Sequence, residues 1–230
     1  MPPASVPPAT APAVKHPARA LLDAVAKAAG GRENVAAWKG LMFRGKVLPL
    51  VDGPSSTLRV DLDLAGSLRE EMRDARGERT HWLSGPMAWS GGERPKAAPP
   101  ELAADLRARF HELAATFELV LADADSLEDL GPTPEKWTRL AHRVGGIRLG
   151  YDVDVTGRLH RVVRLDGQGR DGSTQMEIEE LREVRGVRLP FRWTSVVDGH
   201  ALSETILERV ERVDERDLSE FLPPGVAGGL

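Results

Sequence analysis

The fold of this chain is decided by a stretch in which apolar and polar side chains alternate, Ile147-Arg148-Leu149-Gly150-Tyr151-Asp152-Val153-Asp154-Val155. A period of two places every apolar residue of this stretch on one face of a β-strand and the charged residues on the other. This is the pattern of a strand that is buried on one side only. It predicts a solvated outer face that carries Asp152 and Asp154.

The same alternation continues from Trp137 to Val213 and is interrupted only by short turns. The inward residues predicted in this part are Leu159, Val163, Leu165, Leu189, Phe191, Trp193, Val197, Leu202, Ile206 and Val210. Earlier strands are predicted over residues 41–47, 57–64, 68–73, 79–83 and 87–90, and Leu58, Val60 and Leu62 point inward. Consecutive antiparallel strands with one apolar face form a single sheet, and something must cover that face.

Helical periodicity appears at residues 17–29, 33–38 and 99–122. In the last of these segments Leu106, Phe110 and Phe117 lie on one apolar stripe, which is long enough to cross the open face of the sheet as a lid. Residues 123–134 are predicted to form a loop back to the strands. No composition change divides the chain into two cores, so we expect a single domain over residues 18–226 and a short tail over 227–230.

Residues 1–17 are rich in proline and alanine and are expected to form a disordered tether. Two explanations of this terminus stay open. It is either the remainder of an exported chain whose signal, with or without a lipid-bearing residue, has been removed, or a native disordered terminus.

Composition limits the functional classes. The chain has 230 residues, a formal net charge of −4 and no cysteine. A negative net charge provides no field that attracts nucleic acid or an anionic membrane, and without cysteine there is neither a disulfide nor thiolate chemistry. No apolar run reaches the length of a membrane helix. We expect a monomer.

The motifs that carry chemistry are few. Gly167-Gln168-Gly169-Arg170-Asp171-Gly172 matches the dinucleotide-binding fingerprint by letter, but it joins two antiparallel strands and is interpreted as a hairpin loop. The six histidines do not fall at ligand spacing, so no metal or cofactor is expected. Asp152, Asp154 and His160 are the one group that a hydrolase would use, and Asp154→Ala would then abolish activity. We expect a protein that is not an enzyme.

Four segments follow one another in an order that resembles a known family. They are residues 20–47 with Gly30-Gly31 and Phe43-Arg44-Gly45-Lys46-Val47, then Trp82-Leu83-Ser84-Gly85-Pro86-Met87-Ala88-Trp89, then Val184-Arg185-Gly186-Val187-Arg188-Leu189-Pro190-Phe191-Arg192-Trp193, and finally Phe221-Leu222-Pro223-Pro224-Gly225-Val226. Their layout over residues 20–226 resembles the periplasmic LolA/LolB-like lipoprotein carriers and outer-membrane lipoprotein-sorting proteins.

The resemblance implies a mainly β (α+β) fold in which a strongly curved antiparallel sheet forms an unclosed half-barrel with helices over its concave face. It also implies a periplasmic or outer-membrane-associated carrier whose partners are the acyl chains of a lipid or lipoprotein. The expected lining of the cavity is Leu58, Val60, Leu62, Leu106, Phe110, Phe117, Val163, Phe191 and Trp193. The alternative is an envelope sensing or protein-interaction module with a filled core and a protein partner.

Overall fold

The computed structural model describes residues 17–92, 94–165, 171–215 and 217–225. Its α-helices are α1 (Pro17–Ala28), α2 (Arg32–Ala36), α3 (Pro100–Leu113) and α4 (Ala115–Leu121). Its strands are β1 (Gly40–Pro49), β2 (Ser56–Asp63), β3 (Ser67–Asp74), β4 (Gly77–Ser84), β5 (Met87–Gly91), β6 (Lys96–Ala97), β7 (Leu127–Pro132), β8 (Thr138–Val144), β9 (Ile147–Val153), β10 (Leu159–Leu165), β11 (Asp171–Val184), β12 (Val187–Val197) and β13 (His200–Val213). Within these ranges no helix combines the length and the apolar character needed to cross a membrane.

The strands of the described chain form one antiparallel sheet in the order β6-β5-β4-β3-β2-β1-β13-β12-β11-β10-β9-β8-β7. The chain runs outward from β1 to the edge at β6, crosses through α3 and α4 to the opposite edge at β7, and returns strand by strand until β13 pairs with β1. Because the crossing begins at one edge and ends at the other, α3 and α4 must span a face of the sheet.

The sheet curls around α3. Glu70 on β3 and Arg164 on β10 are separated by six strand spacings, which in a flat sheet would place them about 29 Å apart. Both nevertheless reach the same turn of α3, since Arg109 Nε lies 3.6 Å from Glu70 Oε1 and Arg164 Nε lies 2.5 Å from Glu112 Oε1. The edges β6 and β7 do not pair with each other. The predicted unclosed half-barrel with helices over its concave face is therefore confirmed.

The predicted lid helix over residues 99–122 is two helices. Ala114 ends α3 and precedes α4, and its amide still donates to Phe110 O at 2.9 Å. Phe110 and Phe117 are both buried, one on each side of this break. The break lets both helices keep their apolar sides on a curved floor, which one straight helix could not follow.

The predicted loop over residues 123–134 is also wrong in part, because it contains a 3₁₀ turn at Ala124–Ser126 and the edge strand β7. An edge strand pairs on one side only, and most of β7 is exposed, including Leu130 at 38%. It therefore has no apolar alternation by which the sequence could indicate a strand.

The inward pattern of β9 is confirmed for Ile147, Leu149, Tyr151 and Val153, which pack on the concave side. It fails for Val155, which is 86% exposed because it lies beyond the strand in the turn to β10. The opposite face is not simply solvated either, since Asp152 is completely buried.

A β-bulge in β10 overturns the prediction for Val163. The register against β9 shifts between Leu159 and Arg161, so one extra residue, His160, reverses every later side chain. Val162 joins the concave core instead, whereas Val163 and Leu165 pack with Ala141 in a separate cluster on the convex side. Val163 therefore does not line the concave face.

A second β-bulge, between β1 and β13, changes which residues of β13 face inward. Gly45 on β1 lies opposite Leu207 and Arg44 lies opposite Arg209, which leaves one extra residue between them. Val210 faces the core as predicted. Before the bulge the inward positions belong to Thr205 and Leu207, so the inward orientation predicted for Leu202 and Ile206 is wrong.

The dinucleotide-like sequence over residues 167–172 falls largely outside the described residues, which stop at Leu165 and resume at Asp171. The strands on either side, β10 and β11, are antiparallel neighbours, as the hairpin interpretation requires.

Candidate functional site

Eight of the nine predicted lining residues meet in one core on the concave face. They are Leu58, Val60, Leu62, Leu106, Phe110, Phe117, Phe191 and Trp193, each 6% exposed or less. They come from β2, α3, α4 and β12, so the sequence prediction brings together the right elements. In this structure they pack against one another and against neighbouring core residues.

Leu58 and Leu106 also line a cavity of about 290 Å³ beneath α3. We call it the polar cavity because its wall includes the charged side chains Glu70, Arg109 and Arg164. An apolar chain would meet several ionic groups in this space. At about 290 Å³ this cavity lies just below the usual size of a small-molecule site.

The charged side chains of the polar cavity fasten α3 to the sheet. Arg164 on β10 donates to Glu112 Oε1 at 2.5 Å and to Asp105 Oδ1 at 2.5 Å. Burial alone would lower the pKa of Arg164, but the hydrogen bonds and charges of Glu112 and Asp105 outweigh it and raise the pKa. The guanidinium thus stays charged, and it binds two carboxylates that lie two turns apart on the helix.

On the opposite side of α3, Glu70 of β3 lies 3.6 Å from Arg109 Nε and 3.6 Å from His81 Nδ1. Burial alone would raise the pKa of Glu70, but its interactions with His81 and Arg109 lower the pKa overall. The carboxylate is therefore ionised and holds α3 from the other half of the sheet.

The helix α4 is held by Glu118. Tyr151 on β9 donates its hydroxyl to Glu118 Oε2 at 3.2 Å, and His111 on α3 lies 2.5 Å from Glu118 Oε1 through Nδ1. Burial, followed by the charge of Glu118, raises the pKa of the Tyr151 hydroxyl well above its usual range. This hydroxyl therefore remains a donor.

A larger space lies at the other end of the helical layer, between α1, α4, the β9–β10 turn and the strands β10 to β12. This cleft, which we call the α1 cleft, has a volume of about 1100 Å³. Its floor is apolar and includes Val25, Ala29, Leu119 and Leu159, all of which belong to the concave core. The floor of the α1 cleft is therefore part of the same apolar core as the predicted lining residues, and its wall also carries polar side chains.

Two glycines allow α1 to lie against the sheet at this place. A Cβ atom on Gly157, which has φ +86°, would lie 2.2 Å from the carbonyl carbon of Ala24, and one on Gly30, with φ +108°, would lie 1.8 Å from Gly186 O. The backbone of α1 thus approaches the β9–β10 turn and the β11–β12 turn directly. Side chains at either glycine would push α1 away and change the shape of the cleft.

The mouth of the α1 cleft carries charge. Lys27, Arg158 and Arg188 line it with the single carboxylate Glu183, and all four residues are exposed. Sequence reasoning missed this site because its residues come from four separate segments. The one local signal is the run of small residues on α1, Ala24-Val25-Ala26-Lys27-Ala28-Ala29, which leaves space beside the helix.

The residues of the hydrolase hypothesis lie on or near the convex side of the sheet. Asp152 is buried and accepts hydrogen bonds from Arg139 Nε at 2.6 Å and Nη2 at 2.9 Å, with Arg161 Nε 3.3 Å away. Its predicted solvated position is wrong, because the two arginines satisfy a carboxylate that the alternation pattern places outward. Its role is structural in this arrangement.

Asp154 and His160 do meet, with His160 Nε2 at 2.9 Å from Asp154 Oδ2. The other oxygen of Asp154 accepts from the amides of Thr156 and Arg158 and shapes the turn. The ring of His160 stacks on Trp137 at 4.3 Å. Within the described ranges no group of three or more His, Asp or Glu side chains is placed to hold a metal ion.

No protein-family model matches the chain, and no curated protein sequence matches it. Solved structures do resemble it. A domain named as an outer membrane lipoprotein-sorting protein from Vibrio parahaemolyticus has a TM-score of 0.55 and 9% identity over 89% of this chain and 97% of that one. A LolA superfamily protein from Nitrosomonas europaea has a TM-score of 0.53 and 12% identity over 90% of this chain and 97% of that one. At these identities the likeness is one of fold, and the fold that the sequence resemblance implied is the one observed.

Proposed function

We propose, from the LolA-like fold and the α1 cleft, that this chain is a non-catalytic cell-envelope binding protein that carries the acyl chains of a lipid or lipoprotein. The observation that carries the proposal is a cleft of about 1100 Å³ between α1, α4 and the sheet, whose floor includes buried residues of the apolar core. The names of the two fold relatives support a location in the periplasm or at the outer membrane.

The size and chemistry of the α1 cleft suit such a guest. Small-molecule sites usually occupy about 300–1,000 Å³, and the volume of this cleft slightly exceeds that range. Each buried methylene contributes about 0.8 kcal/mol. A chain of ten methylenes therefore supplies about 8 kcal/mol before the cost of immobilising it, which leaves useful affinity without any catalytic group.

The proposal also covers the residues that are packed together on the concave face. We infer that Leu58, Val60, Leu62, Leu106, Phe110, Phe117, Phe191 and Trp193 become additional lining when α3 and α4 lift from the sheet. The ion pairs of Arg164 and Glu70 with α3 hold the closed position. A short chain would then occupy the α1 cleft alone, and a larger guest would need the helices to move.

A filling substitution tests the cleft. Ala28 lines it and is half-buried, so Ala28→Trp places an indole in the space that the guest would use. With the neutral probe N-phenyl-1-naphthylamine, we expect a fluorescence increase on binding to the wild type and an affinity at least tenfold lower for Ala28→Trp.

Ala20→Trp is the matched control, since Ala20 is exposed on the same helix and does not line the cleft. We expect it to bind within twofold of wild type. Denaturant unfolding of both variants checks that they are folded. A wild-type protein that takes up no probe, or an Ala28→Trp variant that binds normally, would refute the carrier proposal.

A second candidate is an envelope interaction module, and the packing of the eight predicted lining residues favours it. In that case apolar side chains of a partner protein would enter the α1 cleft. Native mass spectrometry of protein isolated from envelope fractions separates the two, because a lipid adduct that is reduced in Ala28→Trp supports the carrier. Adduct-free protein in a stoichiometric complex with one partner chain supports the interaction module.

A further inference from the structure

We propose that the α1 cleft selects a single-chain amphiphile with an anionic headgroup, a carboxylate or a phosphate monoester, which Lys27, Arg158 and Arg188 bind at the mouth. This inference rests on the proposed function, because it concerns the headgroup of the guest whose chain enters the same cleft. It adds a selectivity that neither the fold nor the apolar floor requires.

The three cations converge from different parts of the fold. Lys27 lies in the last turn of α1, Arg158 in the β9–β10 turn and Arg188 on β12, and all three line the α1 cleft. Two arginines beside α3 are engaged by carboxylates, in the pairs Arg109–Glu70 and Arg164–Glu112. The cations at the mouth differ from them in how they are satisfied.

Within the part of the chain that the structure describes, none of these three side chains forms an ion pair. The guanidinium of Arg158 donates through Nη2 to a backbone oxygen, Glu179 O, at 3.3 Å. Glu183 is the one carboxylate among the described lining residues, and it faces Arg188 across the β11–β12 register without an ion pair. The mouth therefore carries two positive charges in excess, in a chain whose net charge is −4.

The end of α1 does not cancel this charge. The carbonyls at a helix C-terminus are partly negative and would repel an anion if they were left free. Here Val25 O accepts from Ala29 N at 2.9 Å, Ala26 O from Gly31 N at 2.7 Å and Ala29 O from Arg188 N at 2.9 Å. Because these carbonyls are hydrogen-bonded, the side-chain cations set the potential at the mouth.

The floor beneath the cations would bind the hydrocarbon part of the ligand. Leu119 and Leu159 are buried at the bottom, and Thr116 adds one hydroxyl. A ligand with charge at one end and hydrocarbon at the other satisfies both regions, whereas a free anion would leave the apolar floor uncovered. The geometry thus favours an amphiphile over an inorganic ion.

Ligands that share one chain length isolate the headgroup. We would measure displacement of N-phenyl-1-naphthylamine by dodecanoate, dodecyl phosphate, 1-monododecanoylglycerol and dodecyltrimethylammonium, each below its micelle concentration. Exposed ion pairs are individually weak, so the three cations must act together. We therefore expect both anions to bind about tenfold more tightly than the neutral ester and the cation to bind most weakly.

The variant Lys27→Gln/Arg158→Gln/Arg188→Gln should bring the anions within twofold of the neutral ester. The matched control Lys39→Gln/Arg44→Gln/Arg76→Gln removes the same charge from exposed residues outside the cleft and should keep the preference. The single variant Lys27→Gln, on an exposed helix position, should lower anion affinity about two- to threefold and serves if the triple variant is unstable.

The outcomes separate the two proposals. Equal binding of anionic and neutral ligands would overturn the headgroup inference but not the carrier proposal. A preference for anions that persists in the triple variant would have the same consequence. Binding of none of the four ligands overturns both. Displacement by inorganic phosphate at the concentration at which dodecanoate acts would assign the mouth to a free anion and overturn the amphiphile.

Discussion

On the convex side, the role of each aspartate is set by the residues that contact its carboxylate. Asp152 and Asp154 are two positions apart in the sequence and both look like solvated acids in the alternation pattern. One is buried between Arg139 and Arg161, and the other organises a turn through Thr156 and Arg158. Both are therefore structural, and the sequence pattern distinguishes neither from an ordinary surface residue.

The turn aspartate makes a testable contribution to stability at low pH. Burial alone would raise the pKa of Asp154, but hydrogen bonds from His160, Thr156 and Arg158 outweigh it and lower the pKa from 3.8 to about 2. Because this pKa is lower in the folded chain, the contribution is present above about pH 4 and is lost as the pH falls towards 2. We expect Asp154→Asn to make the loss of unfolding free energy between pH 5 and pH 2 shallower than in wild type.

Denaturant titrations at several pH values between 2 and 7 measure this difference. Asp52→Asn, at an exposed aspartate in the β1–β2 turn, is the control. Identical pH profiles for wild type and Asp154→Asn would show that the turn does not depress this pKa.

At the scale of elements, bulges and ion pairs decide what the periodic pattern leaves open. One extra residue in β10 and one in β13 reverse the alternation of faces along each strand, so Val163, after the first bulge, lies on the convex side and Thr205, before the second, lies on the concave side. The two ion-pair groups on α3 act on a whole helix, since they join it to strands on both halves of the sheet. The position of α3 is thus fixed by charge as well as by apolar packing.

Removing one of these contacts should loosen α3 without unfolding the sheet. A hydrogen bond to a charged group contributes about 1.5–3 kcal/mol, so Glu112→Gln should speed hydrogen exchange of the α3 amides about tenfold or more. Exchange in β1, β2 and β13 should stay unchanged. Hydrogen–deuterium exchange mass spectrometry makes this measurement.

Glu101→Gln is the matched control, because Glu101 is exposed in the first turn of the same helix. It should leave exchange in the second half of α3 as in wild type. Equal exchange in wild type and Glu112→Gln would mean that apolar packing alone holds the helix.

For the whole molecule, the open sheet and its helical layer form one continuous core. A guest in the α1 cleft contacts both the helices and the strands, so it should stabilise the entire fold and not only the helix beside it. Ligand binding and global unfolding are then linked by mass action.

Thermal unfolding measures this linkage. At a free dodecanoate concentration of about 100 times its dissociation constant, the stabilisation is about 2.7 kcal/mol, and for a chain of this size Tm should rise by about 5–10 °C. The rise should be absent in Ala28→Trp. An equal rise in Ala28→Trp would place the ligand outside the α1 cleft.

The sequence by itself determined most of the strand and helix pattern, the single antiparallel sheet and the apolar identity of the concave core, because period-two and helical spacing are local properties of neighbouring residues. It also brought Leu58, Phe110 and Phe191 to one face correctly. It missed the edge strand β7 and the break between α3 and α4. Only the tertiary structure decided which side Val163 occupies, since a bulge appears through pairing with another strand. It alone also brought Lys27, Arg158 and Arg188 to one mouth, because these residues are far apart along the chain and meet only when α1 docks on the curved sheet.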